Sequence, residues 1–468
     1  MTKQKGGGSV SIRFFLAGIA IVSFLGACSR SGRDAGTGLV DSGGTLSVAE
    51  SFRLPQGCGD SETLAWSEGT ASWSCAKGAG GVSVGAGLLE RHEGAETRIE
   101  VDTRSLDARY GRVDKTLVVS GSGTPVENGE ALLRAFSGVL GASAEAPYVI
   151  RLTEGTFEIS GVVTIPGFGT IEGAGADATR VIVVEGGVQV WNGAISMRRF
   201  SVTAKGASPT GRLVWATPMA GGSRLSEMVF SAAEMDSRLE LLVVPESSLV
   251  SRCQFVAEGV SEITGIVAAH PGTVIEHSDL RLNGIGSVIG IQSGNSISIR
   301  DSRIELTAQF VQGISAGDKF HARNVEVQVV GYGGGIRAHG SGTSIVSSRI
   351  SVVGEGAGVL VSNPGDSGEL DRRLVIQGTS IDVAHPSGLG VGISTSWPAG
   401  LIVAIDASQI QASTAIALVD HTIPEHATFR VGASMLQGIV DAPGAICVHA
   451  YDGAYFPLER DCTRAAMP

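Results

Sequence analysis

Four residues in two long segments of the C-terminal half have side chains suited to binding a sugar. Trp397 offers a flat apolar ring, while Asp371, Arg372 and His385 offer hydrogen-bonding groups. Aromatic rings stack on the apolar faces of sugars, and charged groups hydrogen-bond the hydroxyls. We predict a glycan-binding site in these segments. The alternative is that Trp397 covers the base of a loop.

Cleavage of a polysaccharide requires defined sets of ionisable groups. A glycoside hydrolase uses two carboxyl groups about 5 to 9.5 Å apart, and a calcium-dependent lyase uses a carboxylate cluster beside a base. Of the motifs of polygalacturonase-like enzymes, the chain offers only Ala338-His339-Gly340. No cysteine or histidine spacing is typical of a metal site. The sequence therefore predicts no catalytic residue, no metal and no cofactor.

A six-residue phrase recurs ten times from residue 197 onward, and its ends lie 23 to 31 residues apart. Its six positions hold, in order, an apolar residue, two mostly polar residues, a usually small residue, any residue and a second apolar residue. In most repeats a Gly-Ile or Gly-Val pair follows the phrase, as in Gly265-Ile266 and Gly392-Ile393. The Ile or Val of the pair lies 9 to 12 residues after the last residue of the phrase. Two strand signals per repeat indicate a parallel β-helix, whose turns bury their inward side chains only against the next turn.

The fourth position of the phrase predicts an inward ladder of small residues. In consecutive repeats it holds Cys253, Ser278, Ser302, Val325, Ser348, Thr379, Ser408 and Ser434. Cys253 is thereby interpreted as a buried, inert thiol rather than a reactive one.

Outward positions of adjacent turns are about 4.8 Å apart, so they form columns. Two neighbouring columns alternate in charge: Asp279, Arg303, Glu326, Arg349, and Arg281, Glu305, Gln328, Ser351. We interpret them as a solvated checkerboard of ion pairs. The second strand's column contains no carboxylate: Val267, Gln292, Ser315, Arg337, Leu360, Ser394 and Ala417. We therefore expect a protein that is not an enzyme.

The segment before the repeats indicates a start cap. Residues 126–140 place apolar side chains on one helix face, and a helix there would cover the open first turn. Strand-like segments at 148–152 and 162–166 follow, then Gly173-Ala174-Gly175. This order resembles the opening of pectin-lyase-like proteins. The resemblance implies an all-β fold, a right-handed parallel β-helix with an N-terminal capping helix.

The N-terminus has the features of an export signal. Lys3, Lys5 and Arg13 precede an apolar run from Phe14 to Leu25 that is too short to span a bilayer. Its end, Leu25-Gly26-Ala27-Cys28, resembles a bacterial lipobox, which implies cleavage before Cys28 and lipidation of its thiol. The alternative is an ordinary signal peptide.

Export places the remaining cysteines where disulfides persist, and short separations favour the pairs Cys58 with Cys75 and Cys447 with Cys462. The stretch from Cys58 to Cys75, with GAGLL, IEVDT and ARY beyond it, resembles shaft segments of phage-fibre-like and bacterial surface proteins. That resemblance implies a homotrimer. The alternative is an unrelated β-rich domain.

The predicted organisation is a signal peptide at 1–27, a tether at 28–45, a small β-rich disulfide-containing module at 46–122, the β-helix at 123–445 and a C-terminal cap at 446–468. The 67 glycines and 5% aromatic residues of the 468-residue chain disfavour a helical protein. Its net charge of −11, with no basic stripe, disfavours nucleic acid as a partner.

These features predict a lipid-anchored cell-envelope protein, at the outer membrane or cell surface, with a non-catalytic binding or display role. Its partners would be the membrane, through the anchor, and a glycan or an envelope protein. The alternative is a polysaccharide lyase or glycoside hydrolase acting on acidic glycans, which rests on analogy of fold.

The Cys28→Ala variant tests the anchor. Each acyl CH₂ buried in a bilayer contributes about 0.8 kcal/mol, so losing the acylated cysteine should move the protein from the membrane to the soluble fraction. Immunoblots of the separated fractions measure this. An unchanged distribution would contradict the lipid anchor.

Overall fold

The computed structural model describes residues 115–191, 193–206, 211–217, 222–339, 342–362, 373–394, 401–419 and 427–464, together with the backbone of six short strands before residue 102. The chain divides into two compact units, Met1–Gly111 and Arg112–Pro468. Among the described residues, no helix is long and apolar enough to cross a membrane.

The first unit contains three antiparallel hairpins. They are formed by β1 (Leu39–Asp41) with β2 (Leu46–Val48), β3 (Glu62–Ser67) with β4 (Ser72–Lys77), and β5 (Leu88–Glu93) with β6 (Glu96–Val101). Cys28, Cys58 and the side chain of Cys75 lie outside the described residues. The lipidation and the first disulfide therefore stay predictions.

The second unit is a solenoid of strands with one helix at its start. Its elements are β7 (Lys115–Gly121), α1 (Pro125–Ser137), β8 (Tyr148–Pro166), β9 (Gly169–Glu172), β10 (Thr179–Trp191), β11 (Ile195–Arg198), β12 (Ser201–Lys205), β13 (Arg212–Ala216), β14 (Arg224–Ser226), β15 (Val229–Ala233), β16 (Arg238–Val244), β17 (Leu249–Ser251), β18 (Gln254–Ala268), β19 (Thr273–Glu276), β20 (Asp279–Ser293), β21 (Ile297–Ala316), β22 (His321–Ala338), β23 (Thr343–Val346), β24 (Arg349–Val353), β25 (Gly356–Val361), β26 (Arg373–Gln377), β27 (Ser380–Val383), β28 (Leu389–Ile393), β29 (Leu401–Asp406), β30 (Gln409–Leu418), β31 (Ala427–Gly432), β32 (Met435–Asp441), β33 (Ile446–Val448) and β34 (Tyr451–Asp452).

Strands β7 to β34 form one wound sheet in which strands of successive turns pair in parallel. Inward side chains of all turns merge into one apolar core. This confirms the predicted all-β, right-handed parallel β-helix. In the middle turns a single long strand such as β20 bends to provide two legs of the turn, and its register shifts at the bend.

The corner that precedes the first leg has the same geometry in successive turns. The third residue of the phrase adopts the left-handed backbone conformation, with φ of 50° at both His277 and Asp301. The next residue points inward. There the Ser302 hydroxyl accepts a hydrogen bond from the Ser278 backbone N–H (3.2 Å) and donates one to the Arg300 carbonyl (2.8 Å). The predicted small-residue ladder is thus also a hydrogen-bond ladder.

The same pair of bonds recurs along the solenoid, and the hydroxyls that make it belong to Ser278, Ser348, Thr379, Ser408 and Ser434. Cys253 begins this ladder and is fully buried. Burial raises the pKa of its thiol to about 12, which fits the inert role.

The second recurring phrase marks a column of glycines. A Cβ at Gly290 would lie 2.5 Å from the carbonyl oxygen of Gly313, so only a residue without a side chain fits between stacked turns. The column continues from Gly358 to Gly390. The glycine predicted for the column in that turn was Gly392, which lies two residues after Gly390, the glycine that occupies the position.

Helix α1 closes the start of the solenoid, as predicted. Thr124 caps its N-terminus in a capping box with Glu127. Leu132 and Phe136 are buried on the first turn, whereas Leu140 is exposed because the helix ends at Ser137. At the other end, Cys447 and Cys462 form the predicted disulfide.

Removing one rung of the ladder should destabilise the solenoid. The Ser302→Ala change leaves the buried Ser278 N–H without its acceptor, which typically costs about 1–3 kcal/mol. Urea unfolding followed by circular dichroism should show a lower midpoint, while Ser351→Ala, on the outward side of β24, should leave the midpoint unchanged. Equal midpoints for the two variants would contradict the structural role of the ladder.

Candidate functional site

The charged columns form a network of exposed ion pairs. The register places Asp279 beside Arg303 and Arg281 beside Glu305. Arg281 contacts Asp279 at 2.7 Å and Glu305 at 3.6 Å, and Arg303 contacts Glu305 and, at 3.5 Å, Glu326. Each of these carboxylates already has a guanidinium neighbour, so this face offers no free acid pair for hydrolysis.

The structure describes one member of the predicted sugar-binding group, His385. Trp397, Asp371 and Arg372 lie outside the described residues, so their role stays a prediction. His385 follows β27, where its ring Nδ1 accepts a hydrogen bond from the Ser387 backbone N–H (3.2 Å) and lies 2.9 Å from the Ser387 hydroxyl. These bonds hold His385 within its own turn.

A trough of about 430 Å³ lies instead on the outward side of the second leg, across the four turns containing β18, β20, β21 and β22. It is lined by Val267, Ala269, Gln292, Ser293, Gly294, Ser315, Gly317 and His339. Among these lining residues there is no carboxylate, and His339 is the one ionisable group. The trough is a concave, mainly apolar surface with a few polar groups, and its size fits a short stretch of glycan.

Close stacking of the turns makes the trough. Ala269, Gly294 and Gly317 precede His339 in successive turns, as the neighbouring register pairs show. A Cβ at Gly317 would overlap the Gly294 carbonyl oxygen, so the backbones touch there. Small residues therefore form the floor, and His339 closes one end with a ring that rises above it.

His339 is held between two hydroxyl groups. Its Nδ1 lies 2.8 Å from Ser362 Oγ and its Nε2 lies 3.3 Å from Ser315 Oγ. Ser362 is buried and comes from the next turn, after β25. The two contacts fix the plane of the imidazole and direct Nε2 toward the trough.

Arg337 lies two residues before His339 on β22, about 6.6 Å away along the strand, and its side chain is exposed. Its Nε donates a hydrogen bond to Ser362 Oγ (3.4 Å). The Ser362 oxygen accepts from Arg337 Nε and has a second lone pair for a proton on His339 Nδ1, so its position is compatible with the Nδ1–H tautomer of the neutral ring. In that tautomer the Nε2 lone pair faces the Ser315 hydroxyl, which can donate to it.

Burial lowers the pKa of His339, and the positive charge of Arg337 lowers it further. The imidazole is thus neutral at neutral pH and able to accept a proton. A guanidinium for an anionic group and a neutral base two residues away suit proton abstraction from carbon next to a carboxylate. Among the described residues, no group of acids, histidines or cysteines is arranged to hold a metal ion.

Most members of this cluster are visible in the sequence, but the repeat pattern does not join them. Ser315 and Arg337 stood in the second-leg column and His339 in a partial motif, but Ser362 was missed. The register also places Gly392, not Ser394, between Leu360 and Ala417 in that column. The signal for the site was a histidine two residues after an outward arginine at the edge of a column of small residues.

No protein family and no curated protein matches the chain by sequence. Among solved structures, the A-module of the Azotobacter vinelandii mannuronan C-5 epimerase AlgE6 aligns with 72% of this chain and 99% of its own, at 14% identity and a TM-score of 0.50. The pentasaccharide-bound tailspike of E. coli bacteriophage HK620 aligns with 78% of this chain and 80% of its own, at 10% identity and a TM-score of 0.49.

A thermostable GH87 α-1,3-glucanase from Streptomyces thermodiastaticus aligns with 75% of this chain and 70% of its own, at 12% identity and a TM-score of 0.46. At these identities the likeness is one of fold: this chain shares the parallel β-helix with those proteins. Our expectation that the chain is not an enzyme is wrong by this comparison, because the AlgE6 module, 99% of which aligns with this chain, is named an epimerase.

The pKa of His339 can be measured by NMR, with His339→Asn to assign its signal. We expect a value below the ordinary 6.5 or so, and Arg337→Gln should raise it because a neighbouring positive charge is removed. Because the pKa of His339 is lower in the folded chain than in the unfolded chain, protonation of His339 favours unfolding. The contribution of His339 to the free energy of unfolding is therefore full above the pKa of the unfolded chain, and it is lost as the pH falls through the pKa of the folded chain. An unshifted pKa, or no response to Arg337→Gln, would contradict this electrostatic arrangement.

Proposed function

We propose that the protein is a polysaccharide lyase that cleaves acidic glycans by β-elimination at a uronate residue. The observation that carries this proposal is the neutral imidazole of His339 beside the Arg337 guanidinium at the end of the trough. The shared fold of the AlgE6 module, whose name is that of a mannuronan epimerase, supports a uronate polymer as the substrate class.

The first step is removal of a proton. Arg337 binds the uronate carboxylate and offsets the negative charge that develops on it. His339 Nε2 accepts the proton from the adjacent carbon, while Ser362 stabilises the imidazolium through Nδ1. The electron pair left on carbon is delocalised into the carboxylate held by Arg337.

The second step breaks the glycosidic bond. The delocalised pair returns to form a carbon–carbon double bond, and the bond to the oxygen on the next carbon breaks with its electrons. The proton on His339 passes to that oxygen, which restores the neutral imidazole. Epimerisation would need a proton donor on the opposite face of the sugar, and His339 is the one ionisable residue among the described lining residues.

We further propose that the enzyme acts at the cell envelope, held through lipidation of Cys28 and the tether at 28–45. The lipobox-like segment and the glycine-rich composition of that stretch support the anchor. Such a tether would let the solenoid reach glycan near the membrane. A homotrimer, as the fibre resemblance implies, is a separate prediction that sedimentation of the soluble protein tests.

Purified protein should release unsaturated products from polygalacturonate or polymannuronate, seen as a rise in ultraviolet absorbance. His339→Asn removes the base, and we expect the rate to fall by about 100-fold or more. Arg337→Gln should lower the rate as well, because the carboxylate loses its partner.

Arg349→Gln provides a matched control, since Arg349 belongs to the exposed charge checkerboard of the first leg. It should leave the rate unchanged. Products without a double bond, or a His339→Asn variant as active as the parent, would contradict the proposed lyase.

A further inference from the structure

We infer that the solenoid binds a long glycan along its axis, on a track that runs from His339 to a remote stacking platform at Trp191. This inference rests on the proposed function, because the chain bound on the track is the one cleaved at His339. The track is the outward column that contains the trough floor, extended toward the N-terminal turns.

The parallel register defines the column. Paired residues one or two positions before each member of the column, or one position after it at one step, align Trp191 with its successors in six consecutive turns: Thr217, Pro245, Ala269, Gly294, Gly317 and His339. Six steps of about 4.8 Å separate the indole position from the imidazole position by about 29 Å. That length accommodates an oligosaccharide of several residues.

The side chains of the column between Trp191 and His339 are short and uncharged. Ala269, Gly294 and Gly317 form the trough floor, and Pro245 continues it at low relief because it is buried. A neighbouring column is formed by the residues two positions earlier in each turn. It is also apolar beside Pro245 and Ala269, where Val243 and Val267 are aligned. A chain on this track meets no carboxylate in either column and no long side chain in the floor between the two ends.

Trp191 has the properties of a sugar platform. It ends β10 and is 50% exposed, so a large part of this aromatic residue faces solvent. A large aromatic ring with few rotatable bonds stacks on a pyranose at low entropic cost. Its distance from His339 means that only a long ligand reaches both.

A second aromatic surface lies off this track. Phe310 and Tyr332 are exposed and pack edge to face with ring centroids 5.9 Å apart. They lie five residues before Ser315 and Arg337 on β21 and β22, about 16 Å to the side along the strands. A ligand that reached both this pair and Arg337 would run along the strands rather than follow the axis, which makes Tyr332 a matched control.

The test measures binding to the inactive His339→Asn protein by titration calorimetry, with polygalacturonate and polymannuronate fragments as probes. Trp191→Ala should weaken binding of long fragments by about five- to tenfold and leave binding of trimers unchanged, because a trimer at Arg337 does not reach the indole. Trp191→Phe should restore most of the affinity. Tyr332→Ala should change neither probe.

Equal affinity of parent and Trp191→Ala for long fragments would overturn the track, as would equal weakening for trimers and long fragments. A loss with Tyr332→Ala instead would also overturn it. Binding of a neutral β-glucan with the same Trp191 dependence, without binding of either uronate polymer, would uphold the track and overturn the uronate lyase. Failure of every polymer to bind would overturn both.

Discussion

The structure depends on the in-register stacking of turns at one corner. There a residue in the left-handed conformation turns the chain, and the next residue's hydroxyl accepts the backbone N–H of the turn before it. Non-glycine residues in that conformation carry a conformational cost, which the inter-turn hydrogen bonds offset. Because this geometry repeats, each residue of one turn has a fixed partner in the next, and every outward side chain belongs to a column.

The columns explain why a site arises where no single repeat contains one. His339 and Arg337 come from one turn, Ser315 from the turn before and Ser362 from the turn after. None of these contacts is local in sequence, since their partners are 23 to 25 residues apart. The same stacking that excludes side chains at Gly294 and Gly317 lowers the floor beside the ring.

Much of this fold is predictable from the sequence because stacking imposes a period. The six-residue phrase predicted the solenoid, its fourth position predicted the inward ladder, and the helix face at Leu132 and Phe136 predicted the cap. The register failed by two residues at Gly392, because the insertion before β26 breaks the period and two glycines, Gly390 and Gly392, fit the same phrase. The site was not predicted, since a column shows which residues are adjacent but not which way a ring or hydroxyl turns. The pairing of His339 with Ser315 and Ser362 is a matter of side-chain rotamers in three different turns.

The proposed binding of an acidic polymer by an acidic protein poses an electrostatic question, which the arrangement of the columns addresses. The net charge of −11 belongs to the whole chain, but exposed charges farther apart than about 8 Å are largely screened at physiological ionic strength. Near the trough the acids of the checkerboard are offset by their own arginines, and the second-leg column holds no carboxylate between Val267 and Leu360. Arg337 is the charged residue of that column beside the trough. In the proposed mechanism its guanidinium, beside the neutral imidazole of His339, would hold the uronate carboxylate at one place on the track, so that the position of cleavage would depend on the site rather than on the overall charge.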